Sequence, residues 1–129
     1  VLQESLSSSV NAAAQFAATE AIRGKQDAVD KMRAAYEERR NYLVEHLNQI
    51  KGMSCIYPEG AFYAFANIKE SGMSSFAFAN RLIEECQIVT TPGTAFGEAG
   101  EGFIRISFAS GMPILEEAIS RLQRKLGKK

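Results

Sequence analysis

The chain has one histidine, two cysteines, no net charge and no long apolar run, and each scarcity closes off a class of function. His46 stands alone, so a histidine metal site has no second member and a Ser-His-Asp set has no support. It reads as a surface side chain near a helix end, where an imidazolium is mildly favoured. Cys55 and Cys86 lack the close spacing of a metal site and read as free buried thiols. Free thiols suit a reducing cytosol, and the expected location is cytoplasmic. The 15 basic and 15 acidic residues cancel, which removes any general pull toward nucleic acid or an anionic membrane. No apolar run approaches the ~18 residues of a membrane span. The first residues lack the basic start and apolar run of a signal peptide. No lysine is followed by serine or threonine, so a Walker phosphate loop is excluded.

What is present fits a single domain of 129 residues. The chain starts at Val1, inside what reads as a structured segment, and is expected to be a piece of a longer protein. Leu6–Ile22 is rich in Ser and Ala and reads as a helix with Ser9 or Asn11 as cap and Gly24 at its end. A long helix is expected from Asp27 to about Gln49, with Val29, Met32, Tyr36, Leu43 and Leu47 as its apolar positions. Met53–Tyr57 reads as a short strand, Pro58–Gly60 as a turn, and Ala61–Ile68 as an aromatic-rich strand. Ser74–Glu85 reads as a helix capped by Ser74 or Ser75, with Phe76, Phe78, Ala79, Leu82 and Ile83 inward. Gln87–Thr91 is expected as a strand with Ile88 and Val89 inside, and Gly102–Ala109 as another. Met112–Leu126 closes the chain as a helix with Pro113 in its first turn. This order predicts an α+β fold, a small, mostly antiparallel sheet with helices packed on one face.

Arg105 is the residue that draws attention. It stands in the apolar run Gly102–Ala109, where Phe103, Arg105 and Ser107 alternate with Ile104, Ile106 and Phe108. A guanidinium on rigid β-structure is suited to hold a carboxylate through two parallel hydrogen bonds. The competing reading is a structural ion pair with an internal carboxylate. The loop before it carries Gly93, Gly97, Gly100 and Gly102. It lies between two strands rather than between a strand and its helix, so it is no dinucleotide fingerprint. It reads either as backbone shaped around a ligand or partner, or as plain hairpin geometry.

The run V-T-T-P-G-T-A-F-G-E-A-G-E-G-F-I-R-I-S-F-A, Val89–Ala109, resembles the C-terminal signature of class I/II aminotransferases, the fold-type I enzymes that use pyridoxal phosphate. P-E-G-A-F-Y, Pro58–Tyr63, is similar to the strand preceding it in that family, and Ser7–Gln15 to the stretch entering the family's long interdomain helix. The resemblance implies an aspartate-aminotransferase-like small domain over residues 1–129, with 1–26 leading from a large domain not seen here. It implies that Arg105 binds the substrate α-carboxylate. Phe62 falls on a position that borders the substrate, with core packing as the alternative. Ser9 and Asn11 match a region near the subunit interface.

The resemblance further implies an amino acid and a 2-oxo acid as substrates and a homodimeric parent. The family's Schiff-base lysine lies upstream. Lys25, Lys31, Lys51, Lys69, Lys125, Lys128 and Lys129 sit on expected solvated faces, loops or tail, outside the family's S-x-x-K context. The chain alone is therefore expected to bind no pyridoxal phosphate and to be inactive. Other readings are a non-enzymatic amino-acid-binding or regulatory module, a scaffold dimerising through Ala12–Ala18, and a lyase or synthase of the same fold.

Overall fold

Side-chain caps and the Asn48 amide, just past the end of a helix, shape where several elements begin and end. The computed structural model describes residues 5, 6 and 9–128; residues 7 and 8, inside the predicted first helix, and Lys129 of the tail lie outside them. The chain divides into two compact units, Val1–Arg33 and Ala34–Lys129. In the first, helix α1 (Ala12–Arg23) starts where Asn11 Oδ1 accepts the Ala14 N–H at 3.2 Å, so Asn11 rather than Ser9 is the cap. It ends where the Gly24 N–H donates to the Glu20 carbonyl at 2.7 Å. None of its residues is buried.

Helix α2 (Asp27–Leu47) follows. Val29 and Met32 are exposed, whereas Leu43, Val44 and Leu47 are buried. The expected apolar stripe thus buries only its C-terminal half.

In the second unit, strands β1 (Tyr63–Asn67), β2 (Thr91–Pro92) and β3 (Phe103–Ser107) form an antiparallel sheet in the order β1-β3-β2. Ala64 pairs with Ile106 and Ala66 with Ile104, and this face meets the core. Helix α3 (Ser75–Arg81), with its cap at Ser74, and helix α4 (Met112–Leu126) supply Phe78, Leu115, Ile119 and Leu122 to the same core. Burying side chains of this size contributes roughly 1.5–3 kcal/mol each. The expected α+β architecture with helices on one face is what the chain adopts.

Four expectations fail locally. Met53–Tyr57 is no strand, since only Ser54 bridges to Asn67. The Asn48 side chain takes the place of a ladder partner: its Oδ1 accepts the Cys55 N–H at 2.8 Å and its Nδ2 donates to the Cys55 carbonyl at 2.9 Å. Gln87–Thr91 shrinks to the Thr91 end. A π-helical turn at Leu82–Cys86 ends with Gln87 at φ 57°, and the Ile88 N–H bonds back to the Leu82 carbonyl. Val89, expected inside, is 83% exposed. The inward stripe of α3 and its π turn is Ser75, Phe78, Ala79, Leu82 and Cys86, which leaves Phe76 and Ile83 on the solvent side. In α4, where the spacing of Ile114, Leu115, Ile119, Leu122 and Leu126 predicts one apolar stripe, Ile114 faces out.

Both cysteines are free and buried, as expected. Burial pushes both thiols above their ordinary pKa; the Phe65 backbone partly offsets this at Cys55, and the Glu85 charge adds to it at Cys86. A raised folded pKa means that the unfolded chain releases these protons first. Stability should therefore fall as pH rises past the ordinary thiol range, and neither thiol should react quickly with a maleimide below it. Thermal unfolding from pH 7 to 10 and thiol labelling check both.

Candidate functional site

The sheet face opposite the core carries Tyr63, Phe65, Phe103 and Arg105, with Thr91 beside Arg105 on β2. Cross-strand register sets this: Phe65 and Thr91 both stand directly opposite Arg105. The expected separation of guanidinium and aliphatic faces along β3 is therefore present. Arg105 is half-buried. Its guanidinium carbon lies 4.2 Å from the Tyr63 ring centroid and 4.5 Å from that of Phe96. Nη2 donates to Thr91 Oγ1 at 3.4 Å. The ion pairs among the described residues join Asp30 to Arg33, Glu37 to Arg40, Glu85 to Arg81 and Glu117 to Arg121. None takes Arg105, so the structural ion pair within the chain is not what the arginine makes among the described residues. A fork of five donors with one hydroxyl partner is matched to a planar anion.

Around the arginine the surface is aromatic. Phe65 stacks on Phe103 at 5.1 Å and meets the edge of Phe96 at 6.3 Å. A hollow of about 590 Å³ on the β1 side of this face is lined by Cys55, Tyr57, Pro58, Tyr63, Phe65 and Phe103, though not by Arg105 itself, and its size is in the range of small-ligand sites. A second cavity, about 620 Å³, opens along α4 and the 87–90 segment. It is reached from Ile106 on the sheet's other face, and its charged pair Glu117–Arg121 is closed on itself, so the arginine face is the better chemical candidate. The rings over the Arg105 guanidinium are those of Tyr63 and Phe96, and Phe62 is not among them. Its ring stacks on Tyr36 of α2 at 6.2 Å and lies tilted against Tyr63 at 4.4 Å, and it borders the cluster through Tyr63. Thr91 and Phe96 are the neighbours that sequence reasoning did not single out. Nothing local pointed to either as a partner of Arg105: Thr91 meets it through the β2–β3 register, and Phe96 through the folded glycine loop.

The glycine loop is shaped by its own backbone. It folds as two 3₁₀ turns, Gly93–Phe96 and Glu98–Gly100. Gly93 and Gly100 touch backbone to backbone, with no room for a Cβ on either. Ser75, fully buried at the start of α3, ties the loop down: Oγ accepts the N–H of Gly102 at 2.9 Å and of Phe103 at 3.2 Å and donates to the Gly100 carbonyl at 3.3 Å. Glu101 Oε1 accepts the Ser75 N–H at 2.7 Å, a carboxylate at a helix N-terminus. Ser75→Ala leaves the Phe103 N–H without its partner and should lower stability by about 2 kcal/mol, read by chemical denaturation.

His46 stays outside the site. Its ring stacks on Tyr42 at 4.1 Å and Nδ1 lies 2.8 Å from the Tyr42 carbonyl, so it is half-buried within the helix rather than a free surface group. Among the described residues no helix is long and apolar enough to cross a membrane, and no cluster of His, Cys, Asp and Glu is arranged to hold a metal.

The family model for aminotransferase class I and II matches residues 1–122. The chain is 44% identical over 117 residues to aromatic-amino-acid aminotransferase 2 of Thermococcus litoralis, covering 89% of this chain and 30% of that one. It is 43% identical over 114 residues to the aspartate aminotransferase of Pyrococcus horikoshii, covering 87% and 29%. Among solved structures, the aromatic aminotransferase of Pyrococcus horikoshii OT3 matches with a TM-score of 0.81 and 39% identity over 85% of this chain and 30% of that one. The chain thus spans about 30% of the length of the relatives it matches. A match over nearly all of this chain, in sequence and in fold, places it in the class I and II aminotransferase family.

Proposed function

We propose that this chain is the C-terminal small domain of a longer, pyridoxal-phosphate-dependent aminotransferase of the aspartate-aminotransferase type, and that Arg105 binds the α-carboxylate of its substrate. The parent moves an amino group between an amino acid and a 2-oxo acid, acts as a homodimer and works in the cytoplasm. Residues 1–26 lead from the large domain. The observation that carries this reading is the guanidinium of Arg105, set on a rigid strand with one hydroxyl partner and no carboxylate among the described residues, on a sheet face whose Tyr63, Phe65 and Phe103 also line a ligand-sized hollow. A bidentate arginine both binds and orients a carboxylate, and orientation of the α-carbon is what a positioned cofactor needs.

Pyridoxal phosphate supplies the electron sink in this family. It asks for a lysine shielded from water. The described lysines, Lys25, Lys31, Lys51, Lys69, Lys125 and Lys128, are all exposed, and Lys69 Nζ lies over the Phe103 ring at 5.0 Å. Among the described residues no lysine fits the group, and on this reading the cofactor is held elsewhere in the parent and the chain alone is inactive. The test is absorbance titration with pyridoxal phosphate of the 129-residue chain and of the product of the complete reading frame. A band of covalently held cofactor that responds to an amino acid in the long form alone is the expected result. A stoichiometric band in the short chain overturns the dependence. Amino-acid binding by the short chain without any cofactor would favour a binding module instead.

A further inference from the structure

From the packing around Arg105 we infer that Tyr63 and Phe96 are positioning residues, whose rings fix the plane of its guanidinium. This rests on the reading of Arg105 as the carboxylate clamp. An arginine side chain has many rotamers, and a clamp works only if the fork is already aimed. Structural arginines are usually aimed by an acid, but an acid occupies the donors that a substrate carboxylate needs. An aromatic ring does not. The N–H donors of a guanidinium point outward in its plane, while a ring attracts the cation through its face. The two rings here, at 4.2 and 4.5 Å from the guanidinium carbon, hold the group and leave that edge for a ligand.

The rings come from two separate elements. Tyr63 is on β1, paired with Ser107 and so diagonal to Arg105 on the same face. Phe96 comes from the 3₁₀ turn Gly93–Phe96, whose start is pinned by the Gly93–Gly100 contact and, through Gly100, by Ser75. Thr91 Oγ1 holds Nη2 from β2. Three elements therefore converge on one cation, with one hydroxyl as its only hydrogen-bond partner among the described residues. Phe96 remains 53% exposed, which marks it as a side chain whose bulk the core does not require.

The test is a mutant cycle in the holoenzyme from the complete reading frame. Phe96→Leu keeps an apolar side chain and removes the ring; Phe96→Tyr keeps the ring. Phe96→Leu should raise the KM for the amino acid about tenfold, Phe96→Tyr should restore it, and in an Arg105→Ala background Phe96→Leu should change nothing. Tyr63→Leu and Tyr63→Phe should behave as the second pair. Equal KM for the Leu variants and the unmodified enzyme overturns the inference. The same rise in both backgrounds also overturns it, because a merely structural role does not depend on Arg105. If Arg105→Ala alone leaves KM unmoved, the clamp reading fails first and takes this inference with it.

Discussion

Replacing Arg105 by alanine in the parent enzyme should lower kcat/KM for the amino acid by roughly thirtyfold to several thousandfold. The magnitude follows from removing one partner of a close, hydrogen-bonded charge pair, which costs about 2–5 kcal/mol or more. The effect should fall on every amino-acid substrate alike, since all share the α-carboxylate. Arg105→Lys should recover little of it. An ammonium is a point charge and cannot form two parallel bonds, and its smaller, more hydrated head would not replace the planar group against Tyr63 and Phe96. Folding should survive both changes, because Arg105 has no ion-pair partner among the described residues to leave stranded. Steady-state kinetics with two chemically different amino acids, beside thermal unfolding, separates the effects.

The second large effect is steric. Gly93→Ala should destabilise the 129-residue chain by about 3 kcal/mol, the upper end of overpacking, and lower its Tm by about 10 °C. A Cβ there would meet the Gly100 carbonyl oxygen and lie 2.8 Å from the Phe103 carbonyl oxygen. Both obstacles are backbone, so no side chain can swing aside, and β3 itself would have to move. Gly100→Ala should act in the same way. Gly60→Ala is the control: nothing lies within 4 Å of its added Cβ, and stability should change by less than about 0.5 kcal/mol. A small effect at Gly93 would mean that the loop is not held by that contact.

The central strand and its arginine were legible in the sequence because a period-two pattern is local: Phe103, Arg105 and Ser107 needed only each other to declare a face. Helix α4 was legible for the same reason, with Pro113 marking its start. The failures share a cause too. Met53–Tyr57 had strand-like composition, but its backbone partner is the side chain of Asn48, a contact that no periodicity encodes. The Gln87–Thr91 strand was lost to a π turn that carries the chain out of register before it reaches the sheet. At the site, the ring that reaches the guanidinium from β1 belongs to Tyr63, a contact set by the cross-strand register rather than by any local pattern. Phe96 reaches Arg105 only because the glycine loop folds back, which depends on the Gly93–Gly100 contact across the loop.

The most direct measurement pairs the protein change with a ligand change. Inhibition constants of a substrate-like amino acid and of the matching amine, which lacks the carboxylate, would be determined on the holoenzyme and on its Arg105→Ala variant. If Arg105 binds the α-carboxylate, the unmodified enzyme should prefer the amino acid strongly and the variant should barely distinguish the two. A variant that discriminates as well as the unmodified enzyme would show that the carboxylate is held by another group, and would contradict the account.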